Sequence, residues 1–207
     1  MTVTDIKQQK KDKSRYSVYI DGEYAFSLIM EDILYFGLKI GEDISDSVYD
    51  YITETTLYIK AQDSALKYLG YRMRTEKEIE DRLISEDYGE EVCQKVMDFL
   101  KKYNYVNDRE YCEKYIRETM KLRPKGSYLI KTELKNRGVA EEVAEEAVRR
   151  AGIDELSVAE QLLEKKYEGF ADMDNKELSR VYGYLQRRGF SYGVIKEAVA
   201  DLAEKGI

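Results

Sequence analysis

An internal repeat narrows what this chain can become more than any other feature. Residues 76–100, 127–151 and 178–202 align without gaps, each copy 51 residues after the last. Apolar residues coincide in six columns. These are Ile79, Ile130 and Val181; Leu83, Leu134 and Leu185; Tyr88, Val139 and Phe190; Val92, Val143 and Val194; Val96, Ala147 and Ala198; and Met97, Val148 and Val199. Within each copy the apolar positions follow the spacing of an amphipathic helix. A break falls at Asp87, Gly138 and Gly189, where a left-handed residue can end a helix. The matched apolar residue one position later suits the hydrophobic contact that accompanies such a cap. Each copy therefore predicts two helices across a short turn. A further helix is expected ahead of each pair, over residues 64–71, 109–122 and 156–167. The expected fold class is mainly α: three tandem three-helix repeats forming an elongated curved array, because each unit buries its face chiefly against its neighbours. The repeats are bounded as 51–105, 106–153 and 154–207, behind an N-terminal extension of residues 1–50.

The extension reads differently. Residues 7–15 are polar and Lys-rich and are expected to fray. Residues 16–20 and 24–28 then alternate with period two and are rich in aromatic and β-branched side chains. Asp21-Gly22-Glu23 between them predicts a small β-hairpin over about residues 16–28. A three-residue loop would put Tyr16, Val18 and Ile20 on one face with Tyr24, Phe26 and Leu28. A two-residue Asp-Gly turn would separate them. The first register is favoured, since a hairpin needs one coherent apolar face to dock. Short helical pieces are expected near residues 30–36 and from Ser47 onward.

The residue inventory excludes much chemistry. With no histidine in the chain, His-based triads, His metal sites and His general bases are ruled out. The two cysteines, Cys93 and Cys112, make neither a disulfide framework nor a Cys-rich zinc site, and they read as small packing residues. Gly37-Leu38-Lys39-Ile40-Gly41 is too short for a phosphate-binding loop and lacks a following Lys-Ser/Thr. Pairs such as Glu90-Glu91 and Glu141-Glu142 fall in the first turns of expected helices, where carboxylates complement the helix dipole. No catalytic site, metal or cofactor is expected, so the chain reads as a non-enzyme. No stretch of eighteen apolar residues and no apolar leader occur, which points to a cytoplasmic protein without membrane contact. Charged faces without a heptad seam point to a monomer.

The net charge of −7 rules out a uniformly basic nucleic-acid binder but leaves room for a local patch. One exists. Residues 114–137 hold eight basic side chains, Lys114, Arg117, Lys121, Arg123, Lys125, Lys131, Lys135 and Arg137, against Glu118 and Glu133. Lys114, Arg117 and Lys121 share one helix face, and Lys131 and Lys135 lie one turn apart on the next helix. Arg123-Pro124-Lys125-Gly126 joins those helices, and its amides are expected to be open to an anion at a helix N-terminus. Arg72 with Arg74, and Arg187 with Arg188, extend the basic edge into the other repeats. The patch suits nucleic-acid phosphate or an acidic protein surface; the alternative is an ordinary solvated helix face. Nineteen tyrosines accompany it. Tyr68, Tyr103, Tyr115, Tyr167 and Tyr184 are expected to be buried or half-buried, and Tyr128, beside the basic segment, is a candidate to stack on a base.

Three stretches give the chain a family resemblance. Ala65-Leu66-Lys67-Tyr68-Leu69 leads to Arg74-Thr75-Glu76-Lys77-Glu78-Ile79. Tyr105-Val106-Asn107-Asp108-Arg109-Glu110-Tyr111 follows, and then Arg123-Pro124-Lys125-Gly126 with Leu134 and Gly138. In order and spacing these resemble the RecX family, bacterial regulators of the RecA recombinase. The resemblance runs from Ala61 to the C-terminus, with the third unit resting on the repeat rather than on motifs. Cys112 stands where the family usually has Ala, and Met73 where it often has Pro. The hairpin-bearing N-terminal part resembles the extension of longer members from Gram-positive bacteria. The resemblance implies a modulator of three tandem three-helix units that lies in the groove of the RecA–single-stranded DNA filament. It also implies effects on ATPase, strand exchange and filament stability. The partners it implies are the RecA filament and single-stranded DNA, with double-stranded DNA as a second target. The competing readings are a RecA-independent DNA-binding helical-repeat protein using the stripe 114–137, and a protein–protein adaptor.

Overall fold

The computed structural model describes residues 1–206. The fold is mainly α, with one small sheet at the N-terminus. Two compact units divide it, residues 1–106 and residues 107–207.

The first unit opens with three antiparallel strands in the order β1-β2-β3: β1 (Val3–Gln8), β2 (Arg15–Ile20) and β3 (Glu23–Ile29). The expected hairpin is β2–β3, but its register arises differently from the expectation. Asp21 and Gly22 both take positive φ, 52° and 90°, which makes a two-residue turn closed by Ile20 opposite Glu23. Such a turn alone would split the apolar faces. A β-bulge repairs this: Tyr19 pairs with Tyr24 and Val18 with Phe26, leaving Ala25 as the extra residue. Val18, Ile20, Phe26 and Leu28 then share the buried face, whereas Tyr24 turns outward, edge-to-face with Tyr19 at 6.1 Å. The N-terminal tail is not frayed up to Arg15, because residues 3–8 form β1. Here Val3 opposes Ile20 and Ile6 opposes Val18, with a second irregularity at Thr4. Residues 41–44 tie the start of β1 through Val3 N–H to the Glu42 carbonyl (3.0 Å) and Gly41 N–H to the Val3 carbonyl (2.8 Å).

A short helix α1 (Met30–Tyr35) and a long helical run follow. The run comprises α2 (Asp46–Asp50), a π-helical stretch (Tyr51–Thr56) and α3 (Leu57–Tyr71). Helices α4 (Glu76–Ser85) and α5 (Glu90–Lys102) complete this unit. Its core is continuous from sheet to helices, running from Val3, Val18 and Phe26 through Ile52, Ala61 and Ile79 to Leu100.

The second unit holds α6 (Asp108–Leu122), α7 (Ser127–Asn136) and α8 (Glu141–Ala151). These are followed by α9 (Glu155–Glu164), a single 3-10 turn (Phe170–Asp172), α10 (Asn175–Gln186) and α11 (Tyr192–Glu204).

The repeat is realised in one turn used three times. Asp87, Gly138 and Gly189 have φ of 58°, 82° and 83°. At each, the left-handed residue's N–H reaches back to a carbonyl three residues earlier: Ile84, Lys135 and Gln186. The next residue's N–H reaches back five, from Tyr88 to Leu83, from Val139 to Leu134 and from Phe190 to Leu185. This pair of bonds is the Schellman arrangement, and its apolar contact is present, since all six of those side chains are buried. Leu83 and Leu185 are fully buried in the cores of their respective units. Leu83→Ala or Leu185→Ala should each cost about 2–5 kcal/mol. Hydrogen exchange should place the loss of protection in residues 1–106 for the first variant and 107–206 for the second. Uniform loss across both units in either variant would contradict the division.

Candidate nucleic-acid interface

The three stretches that carry the family resemblance build helix ends and a joint. Thr75, fully buried, caps α4: Glu78 N–H donates to its Oγ1 at 3.1 Å, and Thr75 N–H donates to Glu78 Oε2 at 3.1 Å. Glu78 also accepts from Arg72 at 2.7 Å. Asn107 caps α6 through its Oδ1, which accepts from the N–H groups of Arg109 and Glu110 at 3.1 and 3.3 Å.

Arg123-Pro124-Lys125-Gly126 forms the seam between the two bundles of the second unit. Gly126 N–H donates to the Arg188 carbonyl at 2.9 Å, and Ser127 N–H donates to Glu155 Oε1 at 2.7 Å. Arg188 Nη1 returns a bond to the Pro124 carbonyl at 3.0 Å. The start of α7 is thus already capped by a backbone carbonyl and a carboxylate. The expectation of amides open to an anion fails at Arg123, Gly126 and Ser127, whose N–H groups are all bonded within the fold. Gly126 and Gly189 meet at this seam without room for a side chain. A Cβ on Gly126 would lie 2.2 Å from the Gly189 oxygen, and one on Gly189 would lie 2.4 Å from Leu129 Cβ.

The twelve basic candidates fall into distinct groups. Some are tied into the fold. Lys125 Nζ donates to both oxygens of Glu133, at 2.5 and 2.7 Å, and Tyr115 Oη donates to the same carboxylate at 2.5 Å. Burial pushes the Glu133 carboxyl up, but these two donors outweigh it and hold the group below the usual range. Arg137 donates to Tyr111 Oη at 3.1 Å and lies 5.2 Å from the Tyr115 ring centre. Arg188 crosses the seam and sits 4.9 Å from the Tyr184 ring centre. Arg74, its side chain only 13% exposed, lies 3.8 Å from the Tyr68 ring centre. Arg72 is bound to Glu78.

A second group faces carboxylates across a turn. Lys135 is 2.7 Å from Glu141, Lys131 is 3.8 Å from Glu145, and Lys114 is 3.9 Å from Glu118. Glu141 and Glu145 lie on α8, outside residues 114–137, so a charge count confined to that segment overlooks them. The repeat offset alone does not reveal this pairing, because α8 enters it only as an apolar pattern.

The remaining group is exposed and, among the described residues, has no carboxylate partner: Arg117 and Lys121 on α6, Arg123 at its end, and Arg187 at the end of α10. Arg117 and Lys121 lie one turn apart on the outer face of α6. Because Arg188 is bonded to Pro124, Arg187 and Arg123 flank the same seam. Tyr128, 72% exposed, stands at the start of α7. Of the tyrosines expected inside, Tyr68, Tyr115, Tyr167 and Tyr184 are half-buried, whereas Tyr103 is exposed at the end of α5.

Both cysteines are buried. Burial, reinforced by Asp108 and Glu113, pushes the Cys112 thiol up to about 11, and burial raises Cys93 too. Among the described residues no cluster is arranged to hold a metal ion, and no helix is long and apolar enough to cross a membrane.

Four family models match the chain: the regulatory protein RecX N-terminal domain over residues 1–45 and the first, second and third RecX three-helix domains over 61–100, 107–148 and 153–199. The chain is 31% identical to the regulatory protein RecX of Clostridium botulinum (strain Alaska E43 / Type E3), with 96% of this chain and 95% of that protein covered. It is 32% identical to that of Clostridioides difficile (strain 630), covering 97% and 95%. Against that of Bacillus subtilis (strain 168) it is 32% identical, covering 97% of this chain and 76% of the relative. A crystal structure of regulatory protein RecX superposes with a TM-score of 0.63 at 26% identity, covering 99% and 98%. That of RecX from Lactobacillus salivarius gives 0.62 at 29% identity, covering 71% and 97%.

The seam makes a graded prediction. Gly189→Ala combines positive φ with a clash and should cost about 3 kcal/mol or more. Gly126→Ala should cost about 2 kcal/mol through the clash alone. Gly152→Ala has positive φ but open space around it, and should cost about 1 kcal/mol. Denaturant melts that reverse this order would refute the seam. The thiols supply an independent check. Neither should react with a disulfide reagent over minutes at pH 8 in the folded protein, and both should react on unfolding. Rapid labelling of Cys112 in the folded protein would contradict its burial.

Proposed function

The chain belongs to the RecX family of regulatory proteins, and from that premise we propose that it is a non-enzymatic regulator of the RecA recombinase. In this reading it binds the RecA–single-stranded DNA filament in the cytoplasm as a monomer. There it modulates ATPase, strand exchange and filament stability. The observation that carries the DNA half is the unpaired, exposed row of Arg117, Lys121 and Arg123. These side chains give up no internal ion pair on meeting phosphate, so the whole electrostatic gain is available to binding. Lys125, Arg137, Arg188 and Arg74 are engaged in the fold and serve it. Lys131 and Lys135 would first have to leave Glu145 and Glu141. Arg187 adds to the row from across the seam, and Tyr128 offers a stacking face nearby.

The test is charge reversal at the free row. R117E/K121E/R123E should retain the wild-type melt, because all three positions are exposed. It should weaken filament binding by about tenfold or more at moderate salt, and lower the salt dependence by about two to three released counterions. K131E/K135E should weaken binding less. Unchanged filament affinity in the triple variant would remove the row from the interface. Tight binding of the wild type to bare DNA, with no preference for the filament, would favour the RecA-independent reading.

A further inference from the structure

The chain's negative charge is concentrated in one place. Residues 21–63 hold ten carboxylates and two lysines, a net of −8 against −7 for the whole chain. Part of this charge borders a cleft of the first unit, about 580 Å³ in volume. Its walls are β3 at Tyr24–Phe26, the helical run from Tyr49 to Leu57, and the first turn of α5. The floor is apolar, with Phe26, Leu57, Tyr88 and Val92 all buried. The rim is acidic: Asp50, Glu54, Asp87, Glu90 and Glu91 are all exposed. Lys95 is the one cation in the lining, and it is held by Glu91 at 2.9 Å.

The wall at Tyr24–Phe26 belongs to an edge strand, since the sheet order is β1-β2-β3. An edge strand offers main-chain donors and acceptors to an incoming strand. The bulge at Ala25 and the outward turn of Tyr24 leave Tyr24 49% exposed at the mouth of the cleft.

These features select an occupant. Five carboxylates repel a phosphate backbone, so nucleic acid is the wrong class. No group of acidic residues here is arranged for a metal ion among the described residues. A polypeptide fits all three walls: its main chain can pair with the open edge, its apolar side chains can meet the floor, and its cationic side chains can reach the rim. We propose that this cleft docks an extended, lysine- or arginine-bearing segment of the protein component of the filament, along the Tyr24–Phe26 edge. The inference rests on the RecA reading above and divides the work: the first unit grips protein, while the free basic row of the second meets DNA.

The test compares three full-length proteins: wild type, D50N/E54Q/E90Q in the cleft, and E164Q/E168Q/D201N, which removes the same charge from the second unit. Each is titrated against RecA filaments on single-stranded DNA and against the bare DNA, with thermal melts to check the fold. Hydrogen exchange of wild type is followed with and without filaments. The cleft variant should lose about tenfold in filament affinity and the control variant little, with binding to bare DNA unreduced in both. The amides at Tyr24–Phe26 should gain protection on filament addition. Equal filament affinity of the cleft variant and the wild type, or no added protection at that edge, overturns the docking proposal and leaves the RecA reading standing. A wild type that ignores filaments overturns both. Protection that appears in the protein alone as its concentration rises identifies a second copy as the occupant and also overturns the proposal.

Discussion

Each three-helix bundle hangs on one left-handed residue. At Asp87, Gly138 and Gly189 the chain reverses the sign of φ, and two backward hydrogen bonds close the helix before it. That reversal drives the following side chain, Tyr88, Val139 or Phe190, into the core beside Leu83, Leu134 or Leu185. The next helix can then begin in a fixed direction. A right-handed residue at this point would extend the helix and carry the apolar column out of register. In the second unit the same turn does further work. Gly189, with no side chain, lets Gly126 approach it, and the Arg188 carbonyl just before it caps α7. One turn therefore sets both the inside of a bundle and its junction with the next.

This changes what the family's recognisable stretches mean. Residues such as Thr75, Asn107, Gly126 and Glu78 mark helix caps and a joint inside the fold. A polar residue at a helix start satisfies amides that would otherwise be left without partners, so its identity is narrowly constrained by local geometry. A lysine on an exposed helix face is bound by no such geometry. The stretches that identify the family are thus informative about architecture, and the residues proposed here to touch DNA, Arg117, Lys121 and Arg123, lie mostly beside them.

The repeat, the helical elements and the left-handed positions were legible because they depend on contacts a few residues apart. The sheet was only half legible. In β1, Val3 and Ile6 are three residues apart yet both oppose the buried face of β2, because the ladder slips at Thr4. Period two is broken there, and the segment reads as a polar tail. The extra residue Ala25 hides the hairpin register in the same way: it reconciles a two-residue turn with a shared apolar face, and no local pattern announces it. The basic segment was legible as a composition but not as a surface. Whether Lys125 is available depends on Glu133, and whether Ser127 N–H is open depends on Glu155, 28 residues away. Such partners are chosen by packing.

Charge is divided unevenly between the two units. Residues 1–106 carry a net −6 and residues 107–207 a net −1, so the second unit is nearly neutral overall. The attraction for phosphate proposed for it would come from arrangement and not from total charge. Within the basic segment, ion pairs hold Lys114, Lys125, Lys131 and Lys135, and leave Arg117, Lys121 and Arg123 outward, with Arg187 at the same seam. In the first unit the balance runs the other way: Lys95 is the only cation lining an acidic cleft. Coulomb repulsion disfavours a phosphate backbone at that cleft, and the cations on α6 without carboxylate partners among the described residues favour it. A basic polypeptide has the opposite preference.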